Sequence, residues 1–347
     1  MVLREPAARI GTACHEVLEA TAKGCFDAVD ADQLADRFEH LWSEHIAREE
    51  AAARRSPQER HFGPAVRWPY YALKRAYLYH TVQQLIASRA QTGPSLGSHG
   101  RASEHKDQAE RDYKGFGGKL RGRADHVAMH DGRVEIEDYK TGAIFDESDS
   151  GIMTIKAGYQ RQILLYAALH WDETGVWPQS AHLIALQGER FSMDIEPDDA
   201  LRVVHETLAL LNAYNRRIES GASLNDLATP SEHVCEHCPY KPTCDPFWDA
   251  IRPDWSMRGA AYIEGIVTST EDLGARGLVL EIDAERGNGP SGRCRLRGIT
   301  TIQYPEIDTV TSGTKVRIVG ARIATPDEPR NLLTIDYTQI WWDSLDA

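Results

Sequence analysis

The chain has 347 residues, 41% hydrophobic and 26% charged, enough for one large domain and a smaller one, each with an apolar core. Its formal net charge of -13 argues against indiscriminate affinity for nucleic acid, because phosphate binding depends on Lys and Arg. No apolar stretch reaches the roughly 18 residues that span a bilayer, and "MVLREPAARIG" lacks the apolar segment of a secretory signal, so a cytoplasmic address and no membrane partner are expected.

Residues 5 to about 90 read as helical. In "RIGTACHEVLEATAKGC" Gly11, His15 and Leu18 share one face, with Ile10, Cys14, Val17 and Thr21 beside them. From Arg37 to Arg123 sixteen Lys and Arg meet nine Asp and Glu, which leaves -20 for the remainder; this stretch is either a solvated helical surface or a phosphate track. "QTGPSLGSHGRASEH" breaks the pattern as a surface loop. Strand periodicity follows from Asp112 to Thr141, with "KLRGRADHVAM" and "RVEIEDYK" joined through "HDGR" as a hairpin. A helix is predicted over about 154–172, then strands "SAHLIALQ" and "RFSMDI", then a helix from Pro197 to about Ile218. This order describes an α/β core.

Composition changes after "PDWSMRGA", dividing the chain into 1–255 and 256–347. The second part holds five β-rich runs, "AYIEGIVTST", "GLVLEID", "GRCRLRG", "TKVRIVGARIA" and "LLTIDYTQIWW", which suit a small OB-like barrel or a fragment of a β-sandwich. Within it "RCRLR" puts Arg293, Arg295 and Arg297 on one strand face and Cys294 and Leu296 on the other. The arginines, with Tyr262, Tyr304, Trp341 and Trp342 as stacking platforms, would bind single strands. Yet residues 259–347 carry nine Lys and Arg against thirteen Asp and Glu, so a barrel that packs on the core or binds a protein is equally consistent.

The stretch "EIEDYKTG", residues 135–142, ends a strand on charge. Val134, Ile136, Asp138 and Lys140 point one way; Glu135, Glu137 and Tyr139 point the other. Alone this is an ion pair at a strand end. On the partner strand, however, Asp125 of "GRADHV" can lie beside Asp138, and carboxylates at about 5 Å repel one another unless a cation joins them. A hard divalent ion such as Mg²⁺ or Mn²⁺ is implied, and His15 can add a nitrogen ligand or be a plain core or surface histidine.

"IGTACHEVLE", "GRADHV", "EIEDYKTG" and "YQRQILLYA", in that order, resemble the successive motifs of RecB-type nucleases of the PD-(D/E)XK superfamily, which include the AddB nuclease domain and the CRISPR adaptation nucleases. The resemblance covers about residues 8–248. It implies a restriction-endonuclease-like core, a mixed sheet flanked by helices, and a Mg²⁺- or Mn²⁺-dependent deoxyribonuclease that hydrolyses phosphodiesters. By the same resemblance His15, Asp125, Asp138 and the Tyr139 carbonyl hold the metal, and Lys140 orients or helps deprotonate the attacking water. Gln162 and Tyr166 match a Gln-x-x-x-Tyr that borders the site and touches nucleic acid, though their spacing also suits ordinary helix packing.

Cys235, Cys238 and Cys244 in "CEHCPYKPTC" read as a metal or cluster site rather than a disulfide framework. The spacing resembles the C-terminal part of that family's 4Fe-4S staple. The family's remaining cysteine comes from before the His motif, whereas only 14 residues precede His15 here. The candidates for the fourth ligand are Cys25, which is preferred, and Cys14, or else a residue outside this sequence. Zinc held by the three thiolates and His233 or His237 is the alternative.

The function expected is exonucleolytic cleavage of single-stranded or frayed DNA, in recombination and repair or in phage or CRISPR-type defence. The alternative is a binding or scaffold subunit of a helicase-nuclease or defence complex with little cleavage of its own. No GxxxxGK[ST] loop is present in this sequence, so it is not expected to supply its own P-loop motor.

Overall fold

In the computed structural model the described residues are 5–27, 29–30, 32–56, 59, 62–92, 108–130, 133–147, 151–304, 306–335 and 337–342. The expected surface loop lies almost wholly outside them, as do the two central residues of the "HDGR" turn. The chain forms two compact units, each assembled from separate stretches: 1–10, 46–71 and 217–347 make one, and 11–45 with 72–216 make the other. Packing thus groups the chain differently from composition, which changes at 255/256.

Helices α1 (Pro6–Ala22), α2 (Leu34–Arg55) and α3 (Tyr71–Thr92) open the chain. In α1 the stripe Ile10, Ala13, Cys14, Val17 and Leu18 is buried, and the 3.6-residue period sets this face against the core while leaving His15 half-exposed beside it.

The unit containing 72–216 is built on a five-stranded sheet of β1 (Gln108–Gly115), β2 (Leu120–His130), β3 (Arg133–Lys140), β6 (Ser180–Ala185) and β7 (Arg190–Asp194), in the order β1-β2-β3-β6-β7. β1, β2 and β3 form an antiparallel meander, β3 and β6 run parallel, and β6 and β7 are antiparallel. The parallel pair needs a crossover, and α4 (Ala157–Thr174) provides it. Ile163 and Ala167 of α4 lie against Val127, Val134, Ile136, Ala181 and Leu183 of the sheet. Ile136, Ile163 and Leu183 are each fully buried, which stabilises the layer by about 1.5–3 kcal/mol per side chain. α5 (Pro197–Glu219) covers α4 through Ala200 and Val204.

α4 begins three residues later than predicted. The residues before it form β5 (Met153–Ile155), paired with β4 (Phe145–Glu147) as a hairpin that uses their backbone groups.

In the other unit β8 (Ala261–Asp272), β9 (Leu278–Gly287), β10 (Gly292–Ile299), β12 (Glu328–Leu333) and β11 (Lys315–Thr325) pair in a closed ring, and β13 (Gln339–Trp342) adds to the outside of β11. The result is a closed five-stranded β-barrel around Ile263, Val267, Leu280, Ile282, Leu296, Val316, Ile318 and Leu332. The last β-rich run, expected as one strand, is two. Thr338 accepts a hydrogen bond from Ile335 N at 2.8 Å and donates one to Gly320 O at 2.9 Å, which turns the chain between β12 and β13.

Candidate active site

The β2/β3 ladder runs from His130↔Arg133 to His126↔Glu137 and stops. The next opposing positions are Asp125 and Asp138, so both carboxylates stand where the two strands part. Asp125 fills the opening: its Oδ2 accepts from Tyr139 N at 2.7 Å, taking the place of a ladder partner. The same oxygen is 3.4 Å from Nδ1 of His15. α1 reaches the strand end because residue 11 is glycine; a Cβ there would come within 3.1 Å of Thr141 Oγ1.

Asp138 is 2% exposed and ion-paired through Oδ2 to Lys140 Nζ. The Lys140 amine also donates to Gln162 Oε1 at 2.6 Å and lies 4.4 Å from the ring centroid of Tyr159, while Gln162 Nε2 donates to Tyr166 Oη at 2.8 Å. One polar relay therefore runs from α4 through Gln162 and Lys140 to Asp138. Gly122 admits α4 this close: a Cβ would sit 2.9 Å from Tyr166 Cε1 and 3.0 Å from Leu169 Cδ1.

Burial, and next the charge of Asp125, push the Asp138 carboxyl up to about 6, against the pull of Lys140 and His15. Burial lowers His15, but Asp125 and Asp138 outweigh it and raise the imidazole overall. Such mutual perturbation of acid, base and amine is typical of functional sites. A hard divalent ion suits the donor set of two carboxylates and one imidazole, and it would relieve the repulsion that holds Asp138 up.

The expected three-ligand convergence takes the form of two pairs, His15 with Asp125 and Asp138 with Lys140. Among the described residues no three His, Cys, Asp or Glu side chains are gathered to hold a metal ion. Asp138 is instead neutralised by the nearest cation on its own strand.

The same finding applies to the cysteines. Cys235 is buried, Cys238 and Cys244 are half-buried, and all three are free thiols of the barrel-containing unit. Burial pushes the Cys235 thiol up, and charges on Cys238 and Cys244 would push it further. Cys25 lies in a segment of the other unit, and Cys14 belongs to the core of α1, its thiol pushed up to about 12 by burial. His237 pairs at 3.5 Å with Glu236, and His233 is exposed. Among the described residues Cys235, Cys238 and Cys244 form no metal-holding group, with His233 or His237 or without them.

On the barrel, Cys294 and Leu296 enter the core as read from the alternation, and Arg293 and Arg297 are exposed. Arg295 is spent on Glu271 at 2.9 Å and Glu281 at 3.5 Å. Tyr262 and Tyr304 are not stacking platforms: both are buried, and Tyr304 Oη donates to Thr338 O at 2.8 Å. Trp342 packs on the barrel core, and Trp341 is half-buried in register with Arg317. The sequence reading missed Tyr159, whose place on the Gln162 and Tyr166 face was visible as an i, i+3, i+7 spacing.

No helix among the described residues is long and apolar enough to cross a membrane. No curated protein matches the chain. A solved structure titled "Crystal structure of SSO0001" is similar over 52% of this chain and 81% of its own, at 13% identity and a TM-score of 0.25. The sequence profile of the PD-(D/E)XK nuclease superfamily matches residues 3–245. That span is more than half of the chain and contains the whole Asp125–Asp138–Lys140 centre: the protein belongs to the PD-(D/E)XK nuclease superfamily, a membership that implies a metal-dependent nuclease.

Proposed function

We propose that the protein is a DNA nuclease of RecB-like type, acting on single-stranded or frayed ends with Mg²⁺ or Mn²⁺. The observation that carries this reading is the pair of contacts, His15 with Asp125 and Asp138 with Lys140, at the point where β2 and β3 separate. His15, Asp125, Asp138 and the Tyr139 carbonyl would hold the ion, which when bound supplies an activated water and neutralises charge on the phosphate. Lys140 would hold the water nucleophile in line and, as a cation beside it, help its deprotonation. Gln162 fixes the amine from α4, and Tyr166 fixes Gln162.

The three clustered thiols, Cys235, Cys238 and Cys244, would serve a 4Fe-4S or a zinc site. The barrel, OB-like in having a closed five-stranded ring, offers Arg293 and Arg297 to a single strand. We keep 1–255 as the nuclease domain and 256–347 as the OB-like domain. DNA repair or antiviral defence, beside a helicase or defence-complex protein, is the setting that suits such an activity.

The test is a cleavage assay on end-labelled single- and double-stranded DNA with Mg²⁺ or Mn²⁺. Asp138→Ala and Lys140→Ala are each expected to lower the rate at least 100-fold while retaining a cooperative melting transition; full activity in both variants would dispose of the site. Arg293→Glu combined with Arg297→Glu should weaken single-strand binding in the same assay, and unchanged binding would remove the barrel from the substrate path.

A further inference from the structure

One residue of β1 departs from its strand. The β1/β2 ladder pairs Gln108 through Gly115 with Val127 through Leu120 in continuous register and skips only Glu110, which falls opposite Asp125. Glu110 has a φ of 54°, a left-handed conformation that costs a non-glycine residue about 1–3 kcal/mol and is kept only where the surroundings enforce it. Its side chain is 13% exposed, and its carboxylate ion-pairs with Nε of Arg123. Burial, then the charge of Glu19, push the Glu110 carboxyl up, and Asp125 and His15 also act on it. Glu110 thus stands in the electrostatic field of the candidate active site.

Arg123, two residues before Asp125 on β2, is held at one end only. Its side chain is 56% exposed, and the second carboxylate near Nε, that of Asp112, is 3.9 Å away and 84% exposed. Beyond Glu110 and Asp112 no carboxylate pairs with Arg123 among the described residues, and the nearest contact of both is to Nε. A guanidinium anchored through Nε and open at its fork is arranged for two parallel bonds to a phosphate, and anchoring removes part of the ordering cost of binding one. Two residues along a strand is about 6.6 Å, which sets the fork beside the Asp125 centre rather than on it.

We propose that Arg123, fixed by Glu110, binds the DNA phosphate adjoining the one being cut and thereby sets where the strand lies across the site. This rests on the nuclease reading above.

The experiment combines Arg123→Met and Arg123→Lys with single-stranded oligonucleotides carrying one neutral methylphosphonate at successive positions around the cleavage point. For Arg123→Met, KM is expected to rise 10- to 30-fold with kcat changed less than 3-fold. The slope of log affinity against log salt should fall by about 0.7, the value for one phosphate contact to a single strand. Arg123→Lys, which keeps the charge and loses the fork, should keep the slope and recover only part of the affinity. Glu110→Gln should weaken binding with the slope preserved. In the wild type one methylphosphonate position should reproduce the Arg123→Met loss, and at that position Arg123→Met should show no further loss.

Wild-type KM and salt slope in folded Arg123→Met overturn the proposal. Should that variant fail to fold, a wild type indifferent to every single methylphosphonate overturns it without need of a variant. A wild type that cuts no unmodified DNA with either metal ends the nuclease reading itself, whereas normal cutting with no Arg123 effect ends only the assignment of Arg123.

Discussion

At the scale of single residues, the site depends on a carboxylate in the wrong environment for its charge. Asp138 is 2% exposed, and burial with the nearby Asp125 charge lifts it to about 6. A raised carboxyl favours the folded state when protonated; this contribution is complete below the unfolded value of about 3.9 and is lost as pH rises through about 6. With metal removed by chelation, Asp138→Asn should therefore be more stable than the wild type above pH 6, by about 3 kcal/mol at most from a displacement of roughly two pH units. The difference should vanish near pH 4, and Mg²⁺ or Mn²⁺ should reverse it by stabilising only the wild type. Thermal melts across pH with and without metal check each arm. That Asp125 stands opposite Asp138 was legible from strand alternation, while the grouping of His15 and Lys140 with them came from the resemblance of four ordered motifs, since a carboxylate and a lysine at a strand end are by themselves an ordinary ion pair. The Glu110–Arg123 pair was not legible, since one arginine in an alternating strand looks like surface until its partner is seen in a left-handed conformation.

At the scale of elements, the periodicities of 3.6 and 2 identified α1, α4, α5 and the β2/β3 hairpin because each has one buried face. They misplaced the start of α4 and merged β12 with β13. In both cases local hydrogen bonding decided: the β4/β5 pairing before α4, and the Thr338 hydroxyl in a turn without glycine or proline. The cysteine-bearing segment is an element of another kind. Cys235 lies in a five-residue helix, Glu232–Glu236, and Cys244 stands at the start of a six-residue helix, Asp245–Ala250. Helices this short are not stable by propensity, so tertiary contacts or a bound ion must hold them. Anaerobically purified protein is expected to contain iron and sulfide with a broad visible band, lost in Cys238→Ser; stoichiometric zinc in colourless protein would select the alternative, and neither metal would dismiss the site.

At the scale of the whole molecule, the unit containing the barrel is tied by a buried charge. Glu264 of β8 is fully buried and accepts from Arg286 Nε at 2.7 Å and Arg317 Nε at 2.6 Å, with Lys315 at 3.3 Å. Arg286 and Arg317 extend to Asp249 and Asp245 of the helix after Cys244, and Arg317 also donates to Pro242 O at 3.2 Å. Burial raises the Glu264 carboxyl, but Arg317 and Arg286 outweigh it and hold it below the usual range, so its stabilisation is present above the unfolded carboxyl value and lost as pH falls through the lowered one. Glu264→Gln leaves three cations without their shared partner and should lower the unfolding free energy by about 3–5 kcal/mol in chemical denaturation, a loss that disappears at low pH. Sequence reading could not find this cluster, because residues 245, 249, 264, 286 and 317 come together only in the fold.

The interleaving of the two units has a consequence for biosynthesis. All of 11–45 and 72–216 has been translated before residue 217 emerges, whereas 1–10 and 46–71 belong with chain that has not yet been made. At roughly 5–20 residues per second those early segments wait on the order of ten seconds for their partners, with Phe62 and Trp68 among the side chains to be shielded meanwhile. The five-stranded sheet can therefore take shape on the ribosome first, and the barrel-bearing unit closes afterwards around segments released long before it.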